Sequence, residues 1–484
     1  MAEKFDLLIR NGDVFTGGAL SRCDVGVKDG LIAAIADRLD APAARMIDAA
    51  GRLVMPGGVD SHVHIDQPSG SAAEMCDDFD SASASAAAGG TTTVISFAWQ
   101  SPGESLAEIA EDYARRAKTS RVDYTFHLTI TDPTEKVLEE ELPALVAAGN
   151  RSVKIFMTYK GVGLEDEQIL RVLDAARRNR ALVCVHAENH ALIEYLTRKL
   201  VSAGLGAPKY FPLSKPMTAE REAVNRIIAF SEALDAPIHI FHVSGAESAA
   251  EIERAQQRGL KVTAETCPHY LTITADDLDK PGFEGAKLIF GPPARTRADQ
   301  EALWDYLRRG VISVISSDHS PTRYDDVRGK KVAGEDAPFS VVPNGVPGLA
   351  ARLPVLFSEG VSKGRITIAQ FVDLVSAEPA RRFGIFPQKG VIAVGSDADF
   401  VIWDPKRKVV IRNEMMRHAG DYTPWEGFEV TGWPSATYVR GRVVCEEGVP
   451  VAESGGGRHV PRAPYSLIEP AGRTREELLA ALGA

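Results

Sequence analysis

Eight apolar runs recur through the middle of this chain, and five of them carry polar residues of metal-binding or proton-handling type at or just beyond their ends. The runs span 54–65, 91–97, 124–130, 152–157, 181–185, 237–243, 261–265 and 311–316. Their lengths and β-branched content predict strands, and segments at 105–118, 166–178, 218–234 and 246–258 have the longer periodicity of helices. The polar residues are His62 and His64 in the first run, Lys154 in the fourth, His186 after the fifth, His242 in the sixth and Asp318 after the eighth. A closed (β/α)₈ barrel spends roughly 30 residues per unit. Lys154 to His186 is 32 residues, about one unit, His62 to Lys154 is 92, about three, and His242 to Asp318 is 76, slightly more than two. The 56 residues between His186 and His242 break the rhythm, and they contain a Pro/Lys-rich stretch at 206–216 that predicts a long loop before a helix. An open doubly wound sheet would alternate in the same way. Only a closed ring, however, brings strands 1, 4, 5, 6 and 8 to one centre, so the expected fold is an α/β TIM-like barrel.

Both ends of the chain have a different texture. Short runs at 5–9, 25–27 and 31–35 turn through Asn11-Gly12 and Asp29-Gly30, and runs at 399–403, 408–411 and 436–444 turn in the same way through Arg440-Gly441. The expectation is a small β-sandwich built from both termini (1–55 and 389–460), a barrel at 56–388 and a tail at 461–484, whose residues 473–484 have a helical pattern.

Composition narrows the function classes. A formal charge of −11 and 25% charged residues suit an ordinary globular chain and lack the clustered Lys/Arg that nucleic acid requires. No run approaches the roughly 18 apolar residues of a membrane span, and residues 1–10 lack a signal-peptide core, so a cytoplasmic location is expected. Cys23, Cys76, Cys184, Cys267 and Cys445 are scattered and odd in number, which predicts reduced packing residues.

Each polar residue also has a purely structural reading. His62 and His64 share a strand face because side chains alternate, but H-x-H alone is common. His186 and His242 could be packed core histidines, and Asp318 a turn residue. His239 lies an odd number of positions from His242 and is expected on the opposite face; His127, His269 and His319 are also read as structural. Lys154 is costly to bury unless it snorkels. Burial lowers a lysine pKa, and a neutral amine can combine with carbon dioxide to give a carbamate able to bridge two cations. Taken together, the residues predict a metal pair, with imidazole and oxygen donors suited to Zn²⁺.

The segments GGVDSHVHID (57–66), AAGGTTTVISF (87–97), SVKIFMTYKG (152–161), VCVHAEN (183–189), HVSG (242–245), ETCPHYL (265–271), SSDHSP (316–321) and PNGVPG (343–348) resemble the dihydropyrimidinase and D-hydantoinase branch of the cyclic amidohydrolases. The likeness covers nearly the whole chain. It implies a binuclear zinc centre in which His62, His64 and Asp318 hold one ion, His186 and His242 hold the other, and carbamylated Lys154 bridges them. A hydroxide shared by the metals would open a cyclic ureide or imide, with Asp318 moving the proton. Tyr159 would serve the developing oxyanion, and Asn344 would bind the substrate ring through its backbone. The branch has a ring-binding serine where this chain has Gly291, and its loop at 64–70 is more apolar. A homotetramer is implied as well. Allantoinase or dihydroorotase activity would use nearly the same centre, and non-catalytic scaffold relatives of the collapsin-response type share the fold without the full ligand set.

Overall fold

The computed structural model describes residues 4–68 and 73–472. The helical pattern at 473–484 lies outside the described residues. Eight strands lie side by side in chain order: Gly58–Val63, Thr91–Trp99, Asp123–Thr129, Ser152–Phe156, Leu182–His186, Ile238–Ile240, Val262–Thr266 and Val314–Ile315. Every pairing between neighbours is parallel. The ring is brought round by a bridge between Val63 and His319, where the His64 N–H donates to the His319 carbonyl at 2.7 Å.

Alternation along each strand sorts its side chains between two cores. Val153 and Ile155 face outward and share a large cluster with Ile169 and Val172 of the helix Asp166–Asn179. Leu182, Cys184, Ile95, Phe97 and Phe241 form a smaller cluster within the ring. By the same alternation Lys154 and His186 point inward. The helices keep close to their expected bounds: Leu106–Arg116, Asp166–Asn179, Met217–Leu234 and Ala246–Gln257. Within the stretch expected as a long loop, Pro208–Tyr210 and Phe211–Ser214 form two short helical turns.

The first expected run divides. Leu53–Pro56 leaves the barrel and joins the terminal sheet, parallel to Phe5–Thr16 and antiparallel to Phe400–Val410. That mixed sheet has nine strands drawn from both ends of the chain. The division falls at Gly57, where a side chain would collide with Thr92 of the next barrel strand.

A buried ion pair ties the last strand to the first. Arg352 Nε lies 3.2 Å from Asp60 Oδ2, and its Nη1 donates to the carbonyls of Val59 (3.1 Å) and Ile315 (2.9 Å). Asp60 Oδ1 in turn accepts from the Ser317 N–H at 3.0 Å. The segment carrying Asp318 is thereby held beside the strand carrying His62.

Candidate active site

His62, His64 and Asp318 converge at the end of the first strand. Asp318 Oδ1 is 3.0 Å from His62 Nε2 and 3.3 Å from His64 Nε2, and the two imidazole nitrogens are 3.2 Å apart. Three donor atoms within 4.8 Å of one another are a fitting set for a divalent cation. Each imidazole is oriented through its other nitrogen. His62 Nδ1 is 2.5 Å from Glu265 Oε1, and His64 Nδ1 meets the side-chain oxygen of Gln67. Such outer contacts set the tautomer that leaves Nε2 to a metal. Burial disfavours a charged Glu265, but His62 and His239 outweigh it and hold the carboxyl at about 2.

His186 and His242 lie beside this trio, with ring centres 4.5 Å apart and His242 5.3 Å from His62. His186 Nε2 is 2.7 Å from Glu188 Oε2, and His242 Nδ1 is buried with no hydrogen-bond partner among the described residues. Burial lowers the pKa of both, His186 to about 4, which keeps the imidazoles neutral, the form in which a histidine can bind a metal.

Lys154 is fully buried, and its ammonium nitrogen has no hydrogen-bond partner among the described residues. It sits 4.1 Å from the ring centre of Phe241 and 4.6 Å from that of Phe156. Burial lowers its pKa to about 7, so near neutrality much of it is free amine. An orphaned amine amid aromatic rings, next to two histidine groups, fits the carbamate expectation.

Three of these positions adopt left-handed backbone: Tyr159 (φ 74°), His242 (φ 38°) and Asp318 (φ 47°). Non-glycine residues pay of order 1–3 kcal/mol for this, a cost typical of functional sites. It also overturns the expectation for His239. His242 lies past the strand end at Ile240, so its turned backbone breaks the alternation, and both histidines face the interior. The His239 ring centre is 5.3 Å from that of Phe241, and its Nε2 is 3.6 Å from Glu265 Oε2.

His64, Lys154, Tyr159, His186, His242, Gly291, Asp318 and Asn344 all line one cavity of about 750 Å³, with His62 buried beneath it. Burial pushes the Tyr159 phenol up to about 12, so it remains a hydrogen-bond donor at any ordinary pH. Gly291 has a reason to lack a side chain. A Cβ there would lie 2.6 Å from the Tyr159 hydroxyl and 3.2 Å from the Lys215 ammonium.

A model of the amidohydrolase family matches residues 53–444, which takes in the barrel and the terminal-sheet strands Leu53–Pro56, Phe400–Val410 and Glu429–Val439. The chain belongs to the amidohydrolase family. This family is metal-dependent, and the His62, His64 and Asp318 trio is a possible metal site. The chain is 45% identical over 462 residues to a D-hydantoinase of Ralstonia pickettii, covering 95% of this chain and 99% of that one. A D-hydantoinase of Geobacillus stearothermophilus is 42% identical over 463 residues, 95% of this chain and 97% of that one. Among solved structures, a D-hydantoinase superposes with a TM-score of 0.92 at 44% identity, covering 96% of this chain and 100% of its own. The dihydropyrimidinase of Brevibacillus agri gives 0.91 at 39% identity, covering 95% and 99%.

Four polar residues of the site went unassigned in the sequence reading: Gln67, Glu188, Lys215 and Glu265. Glu188 and Glu265 had a legible signal, since each stands in a barrel strand or within two residues of its end, as the proposed ligands do. Gln67 and Lys215 lie on loops, where only the folded path brings them in. Among the expected structural histidines, His127 has both ring nitrogens satisfied, by Ser152 Oγ (2.6 Å) and the Ser61 carbonyl (2.8 Å). His319 pairs with Asp77 at 2.9 Å and accepts from the Gly348 N–H. His269 is packed against Tyr270 and Phe290.

Proposed function

We propose that this chain is a hydantoinase or dihydropyrimidinase-type hydrolase that opens a cyclic ureide or imide, a 5-substituted hydantoin or a dihydropyrimidine. The observation that carries the reading is the convergence of His62, His64 and Asp318 with Lys154, His186 and His242 around one cavity. His62, His64 and Asp318 would hold one divalent cation and His186 and His242 a second, most simply zinc, with Lys154 as its carbamate between them. Bound cations of this kind supply hydroxide at neutral pH and polarise a carbonyl.

The chain's own residues account for the rest of the reaction. Asp318 stays ionised because, although burial opposes it, His62 and His64 outweigh that penalty. One oxygen faces the histidines, leaving the other to take the proton of the attacking water and pass it to the departing ring nitrogen. Tyr159 donates to the oxygen of the attacked carbonyl as charge builds on it. Gly291 and Asn344 line the same cavity, and their backbone groups would suit the alternating carbonyl and N–H edge of such a ring.

The test is a turnover screen of metal-analysed protein against dihydrouracil, hydantoins with small and aromatic 5-substituents, allantoin and dihydroorotate. About two divalent metals per chain and highest turnover on hydantoins or dihydrouracil are expected. Preference for allantoin or dihydroorotate would move the chain to another branch, and folded protein with neither metal nor turnover would favour a scaffold.

A further inference from the structure

We infer that Lys215 is a positioning residue of this site, holding the Tyr159 phenol and the Glu188–His186 pair in one arrangement. The inference rests on the ring-opening reading, which gives Tyr159 and His186 their roles.

Lys215 follows the short helical turn Phe211–Ser214, on the connection between the fifth and sixth barrel strands. Its side chain is only 4% exposed, and its ammonium donates to Glu188 Oε2 at 2.7 Å. That same oxygen is 2.7 Å from His186 Nε2, so ammonium, carboxylate and imidazole form one chain of contacts. On its other side the ammonium lies 5.0 Å from the centre of the Tyr159 ring. The position where a Gly291 side chain would begin is 2.6 Å from the Tyr159 hydroxyl and 3.2 Å from Lys215 Nζ. The missing side chain thus makes the room in which phenol and ammonium meet.

The lysine backbone is fixed as well. Its carbonyl accepts from Arg295 Nη1 at 2.5 Å, and Arg295 pairs with Glu220 at 3.1 Å. Burial disfavours the ammonium, but Glu188 and then Tyr159 outweigh that penalty, so the positive charge persists. Buried ion pairs contribute little to stability when compared with apolar packing. A charge between the carboxylate that orients His186 and the donor Tyr159 has its main consequence in geometry. It fixes the phenol on one side and the imidazole on the other, and misplacement by about 1 Å can cost ~100-fold in rate.

The experiment is steady-state kinetics on metal-replete Lys215→Met and Lys215→Arg with the best hydantoin or dihydropyrimidine from the screen, each also combined with Tyr159→Phe. Lys215→Met is expected to keep its metals, to hold KM within about threefold and to lose ~100-fold in kcat. Lys215→Arg should regain at least about tenfold of that, because a guanidinium keeps both charge and donors. In the Tyr159→Phe background the effect of either substitution should shrink severalfold, since a residue acting through the hydroxyl cannot act once it is gone. If Lys215→Met does not fold, the Lys215→Arg and Tyr159→Phe cycle decides alone: non-additive losses support the inference and additive ones overturn it. A Lys215→Met enzyme with kcat within about threefold of the parent also overturns it. A parent protein that opens no cyclic amide sinks the ring-opening reading, and this inference with it. An active parent with additive variants sinks the inference alone.

Discussion

Replacing Gly291 with alanine tests how closely the Tyr159 hydroxyl must be held. The backbone at Gly291 lies outside the left-handed region, so alanine adds no conformational strain and acts only through its new methyl group. That methyl would begin 2.6 Å from the phenolic oxygen, and the oxygen must retreat by about 0.8 Å to restore a 3.4 Å contact. The same methyl would lie 3.2 Å from Lys215 Nζ and 3.7 Å from Asn344 Nδ2, so it crowds the groups around the hydroxyl as well. A displacement approaching 1 Å at a reacting group costs on the order of 100-fold, or ~2.7 kcal/mol of barrier. The loss should fall on kcat, because the hydroxyl acts mainly on charge that develops in the transition state. Overpacking costs about 1–3 kcal/mol of stability, which shifts the melting temperature without unfolding the chain at assay temperature. Initial rates across a substrate range, with metal content and melting temperature measured on the same samples, separate these effects. Retention of kcat within about threefold in folded, metal-replete Gly291→Ala would refute the claim that Tyr159 must stand where it does.

Four further outcomes are expected. Lys154→Ala should lose metal and activity together, and short carboxylic acids should restore part of both; near-parental rates in acid-free buffer would contradict the bridging role. Because burial brings the Lys154 pKa down to about 7, reactivation of metal-stripped protein by zinc at fixed dissolved carbon dioxide should quicken as pH rises through 7 and level off above it. A rate independent of pH across that range would argue against a reactive amine. Tyr159→Phe should lower kcat by about 10² to 10³ with little change in KM, and equal losses in binding and turnover would assign the hydroxyl to ground-state recognition. Arg352→Met leaves Asp60 buried without its partner and should cost about 3–5 kcal/mol in denaturant unfolding, whereas a loss below 1 kcal/mol would show that the tie between first and last strands is dispensable.

Strand and helix order could be read from the chain because both are local patterns. Alternation of two and near-four residues reports which side of an element is buried, and in the folded barrel it sets Lys154 and His186 opposite Val153 and Val185. His62 and His64 shared a face for the same reason. The reading failed where the chain leaves regular geometry. The run at 54–65 reads as one strand, yet it serves two sheets, and only their packing reveals a break at Gly57. His242 sits two residues beyond its strand on left-handed backbone, where alternation no longer applies. Gln67 and Lys215 carry no periodic signal at all, because loops place residues by path and not by repeat. Which carboxylate orients which imidazole was decided by ring closure, which brings Glu265 to His62 across 203 positions and Asp318 to His62 at 3.0 Å. Contacts of that range depend on eight strands sharing one centre, a condition that no local stretch of sequence encodes by itself.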